Sequence, residues 1–586
     1  MAAFQGENRE IKEAKADKMK EYFDRLLKNK YAMYILLFMA AVVPYVSSLN
    51  GEFVFDDIPL LLADPFYQTD HSFTDCWKRD YWMETMAQGL YRPLTTFSYW
   101  LNFKISGLYS PSFRTVNLLL HLITVFVVFS LALRLKVGRA AALACAVIFA
   151  VHPIHTEAVI PSFGRGEVLC GLFVFLGLLF HIMSGKKPFL SIFTALCFIL
   201  ACWSKEHGIA LLPLCILYDI YAGRLKMEKK SILCQSKFYG LYVAAALVVA
   251  FTRYEAMGSI LPAMTRFDPY IDNPLALCSY PVRLLSAINL QGFALLLFVW
   301  PKTLSHDYSY AQLLPLDSAA DPVGIIGALL VIAIPFILSY FFPKLKNKII
   351  FFSLAYLVCI LPAANIITPT GTIFAERLYY IPSIWLCMML SCLLFRISWK
   401  MDKNILVILL LAVVIALSCR TYVRSIDWQD QLRISLSGVK TSPKSAKTWN
   451  NLAVQLAQQK KFEEAISACG MAIKIYPLLK TTYLNRAVYN IEIGNSRPAE
   501  QDFSFKEAEK DLRKYIELGT MNPMVYNKLG AVLANLGREE EAMKYWKISL
   551  NLDGAQTMIK RAVSDLQKEI DAKNSNSKFE IRNPKQ

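Results

Sequence analysis

The chain has 586 residues, of which 55% are hydrophobic, and a formal charge of +17 at pH 7. This length exceeds one ordinary domain, and the apolar share is too high for a soluble protein of this size. Much of the basic excess lies in short clusters between apolar blocks, a pattern that sets membrane topology and argues against a nucleic-acid-binding protein. The 13 cysteines show no metal-ligand spacing, so the sequence supports neither a zinc site nor a disulfide scaffold.

The apolar blocks continue to about residue 420, and each membrane crossing needs about 20 mostly apolar residues. The predicted spans are residues 31–49, 114–134, 139–158, 164–183, 188–204, 206–222, 238–253, 323–342, 349–367, 378–397 and 404–420. A further block, 283–300, is also apolar. If it is re-entrant or interfacial, all six basic clusters lie on one face of the membrane, as the positive-inside rule requires. We therefore predict about eleven crossings, with the basic segment 1–30 in the cytosol.

On this topology the long loops 50–113 and 254–322 lie on the non-cytosolic side, together with the chain beyond residue 420. The first loop opens with FVFDD, in which Asp56 and Asp57 are adjacent carboxylates. Adjacent like charges raise the cost of ionising both, so such a pair usually has a purpose or abundant water. Two structural alternatives are N-capping of a helix that begins directly after the pair and plain loop solvation.

Ionisable side chains recur on this side of nearly every predicted helical hairpin. They stand in the motifs YRPL (Arg92), HPIHTE (His152, His155, Glu157), RGE (Arg165, Glu167), WSKEHG (Lys205, Glu206), LSHDYS (His306, Asp307) and AERLYY (Glu376, Arg377). Such groups near membrane depth are costly and mark functional sites. A site that deprotonates an acceptor and holds an anionic phosphate needs this mixture, whereas a plain channel or scaffold does not.

The C-terminal region carries an internal repeat. Trp449, Leu452, Ala453 and Pro477 have the offsets of a tetratricopeptide repeat (TPR), and two further copies follow at about 34-residue spacing once an insertion is allowed for. We predict a linker over 421–445, about three repeats over 446–560 and a tail over 561–586. Three repeats are about the minimum for a stable stack, whose concave face normally binds peptide.

Taken in order, the motifs FVFDD, YRPL, HPIHTE followed by GRGE, SKE, LSHDYS and FAERLYYIPS resemble the transmembrane and TPR-repeat-containing (TMTC) protein family. The resemblance covers nearly the whole chain. It implies an all-α fold, namely a polytopic membrane domain of the type-C glycosyltransferase (GT-C) kind over 31–420, followed by a TPR α-solenoid.

The same resemblance implies an activity and a location. Members of the family look like multi-pass, inverting protein O-mannosyltransferases of the endoplasmic reticulum membrane. They transfer mannose from dolichyl-phosphate-mannose to Ser or Thr of secretory proteins, notably cadherin domains. The N-terminus is then cytosolic and the repeats are luminal, where they aid acceptor recognition. The relatives generally carry more repeats than this chain, so the resemblance does not fix the acceptor.

By resemblance to the acidic first-loop motif, Asp56 is the expected base for the acceptor hydroxyl, and Asp57 orients the acceptor or keeps Asp56 ionised. Guanidinium forks match phosphate oxygens, so the donor phosphate is expected at the basic side chains of the motifs: Arg377 and Arg165 first, then Lys205 and Arg92. For the first three, the alternative is an ion pair with the neighbouring glutamate: Glu376, Glu167 and Glu206 in turn.

Three polar residues of the HPIHTE motif, His152, His155 and Glu157, are expected to position sugar hydroxyls. Two histidines and one glutamate also resemble half of a metal site, but a complete site needs more ligands, so no metal ligand is assigned and a divalent cation is left open. Alternatively, these groups are buried and hydrogen-bond to one another. His306 and Asp307 of the LSHDYS motif are expected to line the acceptor groove.

Two other functions remain open from the residues. The first is a non-catalytic membrane adaptor whose repeats bind a luminal partner, in which the carboxylates can be neutralised without loss of activity. The second is a transporter, since intramembrane ionisable residues also mark substrate pathways. Matched repeated halves with broken helices would favour the transporter, and the sequence shows no convincing pair of them.

Overall fold

A computed structural model describes residues 25–82, 89–226, 228–261, 268–397 and 403–582. Most of the predicted basic segment at the N-terminus and the last four residues of the predicted tail lie outside this set. The chain divides into two compact units. The first comprises residues 1–308 and 313–437, and the second comprises residues 309–312 and 438–586.

The first unit is built from helices over its described residues. In chain order they are α1 (Lys30–Val42), α2 (Pro93–Ser106), α3 (Ser110–Arg134), α4 (Arg139–Val151), α5 (Thr156–Val159), α6 (Arg165–Ser184), α7 (Leu190–Ser204), α8 (Leu211–Tyr221), α9 (Lys229–Met257), α10 (Tyr280–Val299), α11 (Pro322–Phe341), α12 (Lys346–Ile360), α13 (Ser383–Ile397), α14 (Lys403–Asp427) and α15 (Gln431–Thr441). One continuous apolar core packs most of these helices together.

Eight helical segments among the described residues are long and apolar enough to cross a membrane, or nine if one bent pair forms a single span. The expectation of about eleven crossings exceeds this number for a local reason. In three of the predicted spans the helices are short: α7 and α13 have 15 residues each and α8 has 11. The helix α10 is 20 residues long and passes the same test of length and composition. Its re-entrant or interfacial placement therefore stays a prediction.

The bent pair lies at the HPIHTE motif. Helix α4 ends at Val151, and the chain continues through a short 3₁₀ turn into α5 at an angle of 48°. Pro153 explains the break, because proline lacks the N–H that would continue the helical hydrogen-bond ladder. The break turns the polar side chains of the motif into the interior of the unit, where His152, His155 and Glu157 are all buried.

The first long loop has an apolar core of its own, rich in aromatic rings. The buried members of this core are Phe53, Leu60, Leu61, Phe66, Tyr67, Cys76, Tyr81, Tyr99 and Phe113. Such a core fixes the loop as a folded element, because large aromatic side chains bury more area than any others. The FVFDD segment is consequently held in place by this packing, to which its own Phe53 contributes.

The second unit consists of paired helices in the repeat pattern predicted. The helices are α16 (Ala446–Gln458), α17 (Phe462–Ile475), α18 (Lys480–Ser496), α19 (Gln501–Glu517), α20 (Pro523–Asn535), α21 (Glu539–Leu552) and α22 (Thr557–Arg582). Small residues let paired helices approach closely, as at Gly530, where an added Cβ would lie 2.4 Å from the indole of Trp546. The all-α class of the chain, a helical membrane-type unit followed by TPRs, is confirmed.

One boundary differs from the sequence prediction. The region assigned as a tail from residue 561 is helical as far as Arg582, and it packs Leu566 and Ile570 onto the core of the repeat unit. The physical reason is that the last repeat exposes an apolar face, and a further amphipathic helix covers it. The repeat unit therefore extends beyond residue 560.

Candidate active site

The FVFDD segment forms a tight turn that sends its two carboxylates in different directions. Phe55 has a positive φ of 49°, and the N–H of Asp57 donates to the carbonyl oxygen of Val54 at 3.0 Å. A positive φ is unusual for a bulky residue and persists only where surrounding contacts enforce it. The N–H of Phe55 donates to the side chain of Gln431 at 2.8 Å, which is one such contact.

Asp57 is fully buried and acts as an acceptor for backbone groups. Its Oδ1 accepts from the N–H of Phe163 at 2.6 Å, and its Oδ2 accepts from Ser162 and Val54 at 3.2 and 3.3 Å. Burial raises the pKa of Asp57 to about 6, although Arg114 and the three N–H donors oppose this shift. It makes no side-chain cap to the helical turn that follows, so the N-cap alternative is wrong for this residue. Asp57 is thus a tie between the first loop and the segment after the HPIHTE motif.

Asp56 has the opposite environment. Its side chain is only partly buried, and within the described residues it makes no hydrogen bond or ion pair. It nevertheless lies among charged and polar groups. Burial raises the pKa of Tyr81 to about 12 and Asp56 adds to that rise, while the pKa of Arg377 is also raised by Glu157 and Asp56 against the effect of burial. Asp56 is therefore a partly exposed carboxylate in the electrostatic neighbourhood of Arg377.

The cation beside Asp56 is paired with a distant residue. Arg377 forms an ion pair through Nη1 with Glu157, and its backbone N–H donates to the other oxygen of Glu157 at 2.9 Å. The guanidinium also lies 5.4 Å from the ring centroid of Phe163. The expected alternative, an ion pair with the neighbouring Glu376, is wrong, because Glu376 is buried and accepts from Ser305 and Tyr308.

The other two predicted phosphate ligands that approach the site are paired in the same long-range manner. Arg92 forms a forked contact with Glu206, with N–O distances of 2.8 to 3.2 Å. Lys205 pairs with Glu167 rather than with the adjacent Glu206. Burial lowers the pKa of Lys205, and Arg92 and Arg377 lower it further, which shows that the three cations share one electrostatic neighbourhood.

Arg165 does not fit the role of a phosphate ligand. Its side chain is 0% exposed, and it donates to Asn117 Oδ1, Asn102 Oδ1 and the carbonyl oxygens of Ser98 and Phe113 at 2.7 to 3.0 Å. These neutral partners leave no exposed edge of the guanidinium for a ligand. The ion pair with Glu167 does not form, because Glu167 binds Lys205, and phosphate binding by Arg165 stays a prediction that these contacts do not support. The residue ties α6 to α2 and α3.

The two histidines of the HPIHTE motif are also occupied. His152 Nε2 donates to the carbonyl oxygen of Phe298 at 2.8 Å, and its Nδ1 accepts from the N–H of Ile154. His155 Nδ1 donates to Phe149, and its Nε2 lies 2.8 Å from the hydroxyl of Ser383. Both nitrogens of each ring are thus engaged by protein groups, and the sugar-binding role expected for the two histidines stays a prediction. In the described part of the chain no group of three or more His, Cys, Asp or Glu side chains is placed to hold a metal ion.

The predicted acceptor residues lie next to the carboxylate turn. The ring of His306 packs on the ring of Phe55, with their centroids 4.3 Å apart. Phe55 directly precedes Asp56 in the chain. Asp307 is partly exposed, and its backbone N–H and carbonyl oxygen both contact the hydroxyl of Ser305. The structure thus brings His306 against Phe55, the residue before Asp56, while acceptor binding itself stays a prediction.

Sequence reasoning missed Arg114, which positions the turn. This buried residue donates to the carbonyl oxygens of Ser48 and Trp428 at 3.0 and 2.9 Å, and also to that of Glu52. Gly51 permits the approach, because a Cβ there would lie 2.6 Å from the Arg114 guanidinium. A glycine two residues before the acidic motif is the available signal in the sequence.

Comparisons with known proteins agree with the motif analysis. A tetratricopeptide repeat model matches residues 446–477. The protein O-mannosyl-transferase F38B6.6 of Caenorhabditis elegans is 28% identical over 454 residues, which is 76% of this chain and 62% of that protein. The protein O-mannosyl-transferase TMTC3 of Mus musculus is 28% identical over 563 residues, which is 88% of this chain and 60% of that protein.

Among solved structures, the crystal structure of the Archaeoglobus fulgidus oligosaccharyltransferase tethered to an acceptor peptide matches with a TM-score of 0.38 and 13% identity, covering 75% of this chain and 59% of that one. The chain spans about 60% of the length of the two curated relatives described above. Over most of its own length, this chain is similar to protein O-mannosyl-transferases that include TMTC3, and the resemblance indicated by its motifs is confirmed.

Proposed function

We propose that this protein transfers a mannosyl group from dolichyl-phosphate-mannose to a Ser or Thr hydroxyl of secretory-pathway proteins, with cadherin-type domains as acceptors. The reaction takes place on the luminal side of the endoplasmic reticulum membrane. The names of the relatives support the reaction class. The observation that carries the proposal in this chain is the partly exposed Asp56 carboxylate, which makes no hydrogen bond among the described residues and lies beside Arg377.

The chemistry follows from the two different aspartate environments. An alcohol has a pKa far above neutral, so its proton must be removed as the new bond forms. Asp56 accepts that proton while the acceptor oxygen attacks the anomeric carbon, and the bond from this carbon to the phosphate oxygen breaks. Attack opposite the leaving phosphate inverts the anomeric configuration. Asp57 does not take part directly; it fixes the turn that presents Asp56.

The ion pairs connect segments that are distant in the chain. Glu157, Glu167 and Glu206 each bind a cation from another segment of the chain. Preorganised polar groups of this kind stabilise charge without reorganising during the reaction. In this proposal Arg377 stabilises negative charge that develops on the donor, and the repeats capture the acceptor polypeptide.

The test is transfer of labelled mannose from dolichyl-phosphate-mannose to a cadherin-domain peptide by the full-length protein in detergent. We expect Asp56→Asn to lose transfer by roughly a hundredfold or more, the scale of a general base. Gln68→Ala, a change in the same loop away from the carboxylate turn, serves as the control. If Asp56→Asn transfers mannose at the wild-type rate, Asp56 is not the base. If the wild-type protein transfers no mannose, the result favours an adaptor role for the repeats.

A further inference from the structure

Three of the expected phosphate ligands already have carboxylate partners, and the fourth, Arg165, is enclosed by neutral ones. A phosphate that enters this neighbourhood must therefore compete with glutamates or find other donors. Among the described residues, a set of donors with no protein partner lies close by. It comprises Nε and Nη2 of Arg424 and Nε1 of Trp428.

Arg424 is 0% exposed, yet only one side of its guanidinium is occupied. Its Nη1 donates to Asp427 Oδ2 at 3.0 Å and to the hydroxyl of Ser437 at 2.9 Å. The orphan atoms Nε and Nη2 form the opposite edge, which is the fork that grips two oxygens of a phosphate or carboxylate. A buried donor that lacks a partner carries a full desolvation penalty, so an orphan edge on a buried arginine indicates that something else binds there.

Two neighbours of Arg424 also carry buried polar atoms that lack a partner among the described residues. The Arg424 guanidinium lies 5.6 Å from the ring centroid of Trp428, whose indole N–H is buried without a partner. Glu376 is close enough to Arg424 that the arginine lowers its pKa, and its Oε2 is likewise an orphan. The other oxygen of Glu376 accepts from the N–H of Ser305 and the hydroxyl of Tyr308, each at 2.6 Å, so the carboxyl is fixed in position.

This cluster lies directly behind the candidate active site. Phe55, which precedes Asp56, packs 6.4 Å from Trp428 between ring centroids, and Phe163 packs 6.3 Å from the same indole. Glu376 immediately precedes Arg377 in the chain. Trp428 is also tied to the turn, since its carbonyl oxygen accepts from Arg114 at 2.9 Å. A ligand held by Arg424 is thus one side chain away from the carboxylate turn.

We propose that Arg424, Trp428 and Glu376 form a phosphate-oxyanion site that holds the phosphate of the polyprenyl donor or product. The Nε and Nη2 groups of Arg424 and the indole N–H of Trp428 donate to the oxygens, and Glu376 donates the remaining hydrogen bond when it is protonated. Burial keeps its pKa well above the ordinary value, which favours the protonated form near neutral pH. This choice of ligand rests on the proposed function.

The sequence offers a matched control on the same helix. Arg420 lies one turn before Arg424, but its guanidinium donates to the carbonyl oxygens of Pro301 and Lys302 at 3.0 and 3.1 Å. Arg420→Gln therefore removes an equal charge from α14, close to the orphan cluster, at a residue whose side-chain hydrogen bonds within the described residues go to Pro301 and Lys302 and not to Arg424, Trp428 or Glu376. Trp428→Phe is the milder variant, since it keeps an aromatic ring and removes only the indole portion that carries the N–H.

The test measures binding to the full-length protein in detergent by thermal stabilisation, independently of transfer. The probes are a short polyprenyl phosphate, the corresponding polyprenol without phosphate, and inorganic phosphate. We expect the polyprenyl phosphate to bind more tightly than the polyprenol in the wild type and in Arg420→Gln. Arg424→Gln should weaken binding of the polyprenyl phosphate by roughly tenfold or more, and Trp428→Phe by a smaller factor.

The three probes distinguish free phosphate from a lipid phosphate headgroup, and they also show which results contradict the proposed site. Stabilisation by inorganic phosphate that depends on Arg424 identifies free phosphate as a ligand, whereas its absence identifies the lipid headgroup. Equal binding of polyprenol and polyprenyl phosphate, or equal losses in Arg424→Gln and Arg420→Gln, overturns the site and leaves ordered water as its occupant. If Arg424→Gln does not fold, Trp428→Phe decides the outcome.

Transfer assays on the same preparations distinguish this inference from the proposed function. If phosphate binding depends on Arg424 but the protein transfers no mannose, the result supports the phosphate site and contradicts the proposed mannosyl transfer. Transfer that depends on Asp56, with an unchanged KM for the donor in Arg424→Gln, keeps the function and overturns the site.

Discussion

The carboxylate of Asp57 accepts a 2.6 Å hydrogen bond from the backbone N–H of Phe163, 106 residues further along the chain. Both of its oxygens are used in this way, because Ser162 and Val54 donate to the second one. Asp56, its neighbour, makes no such bond among the residues described. Substitution of the two aspartates should therefore have separable consequences.

We expect Asp57→Asn to lower the stability of the protein and Asp56→Asn to leave it nearly unchanged. An asparagine amide at position 57 must turn its NH₂ toward at least one backbone donor, and loss of such an acceptor in a buried place costs roughly 1–3 kcal/mol. Thermal unfolding of both variants in detergent is the measurement. Equal melting temperatures for the two variants would contradict the division of roles.

A second prediction concerns the pair between Arg377 and Glu157. The Glu157 side chain is 1% exposed, and breaking a buried pair by removing one partner costs roughly 3–5 kcal/mol. Glu157→Gln should therefore lower the melting temperature strongly. The change Lys506→Ala breaks an ion pair with Asp502 whose side chains are 64% and 74% exposed, and it should alter stability by less than about 1 kcal/mol. Similar effects of the two changes on the melting temperature would contradict a larger contribution of the Arg377–Glu157 pair to stability.

The buried carboxyl of Glu376 predicts a dependence of stability on pH. Burial raises its pKa to about 8 from an ordinary value of 4.5, with Arg424 acting in the opposite direction. The folded state then retains a proton that the unfolded state has released, so stability should decline as the pH rises from about 4.5 to about 8. Asp57, with its pKa raised to about 6, contributes in the same direction below pH 6.

The variant Glu376→Gln isolates this effect. An amide oxygen still accepts from Ser305 and Tyr308, but the side chain no longer ionises. The melting temperature of this variant should vary less between pH 6 and pH 8 than that of the wild type. An unchanged slope in the variant would assign the pH dependence to other groups.

The repeat unit allows a prediction about packing. A methyl group at position 530 would meet the Trp546 indole at 2.4 Å, so Gly530→Ala must displace a large ring, and overpacking of this kind costs roughly 1–3 kcal/mol. Gly470 is also helical, but nothing lies within 4 Å of an added Cβ there. Gly470→Ala should therefore be neutral or stabilising by up to about 1 kcal/mol. Thermal unfolding and limited proteolysis of the full chain compare the two variants, and greater loss in Gly470→Ala would contradict the packing described here.

Much of the architecture could be predicted because it depends on patterns that are local in the chain. Trp449 and Tyr483 lie 34 residues apart, and Tyr526 follows after an insertion. This spacing identifies the repeats, since each repeat places the same residue types on the same helix faces. Apolar blocks likewise indicate helices of membrane type. Predicted boundaries are less accurate where a helix is short or breaks at a proline, as at Pro153. Average hydropathy does not detect such a break, because it does not depend on whether a residue has a backbone N–H.

The site was only partly predictable, and the errors have a common cause. Arg165 was expected at the phosphate on the strength of its motif, but the fold places it among Asn117, Asn102 and backbone carbonyls. Arg424 belongs to none of the motifs, although it lies on the predicted non-cytosolic side. Its orphan donors become visible only when its neighbours are known.

The sequence by itself determined the helical class, the repeats, the order of the polar motifs and the importance of the Asp56–Asp57 pair. The tertiary structure decided which charges meet, because an ion pair or hydrogen bond acts over a few ångströms and is indifferent to separation along the chain. Each glutamate that sequence proximity assigned to the nearest cation instead bonds to another segment, and Glu157 reaches Arg377 across 220 residues. The same short range separates two adjacent aspartates into a buried tie and an accessible carboxylate.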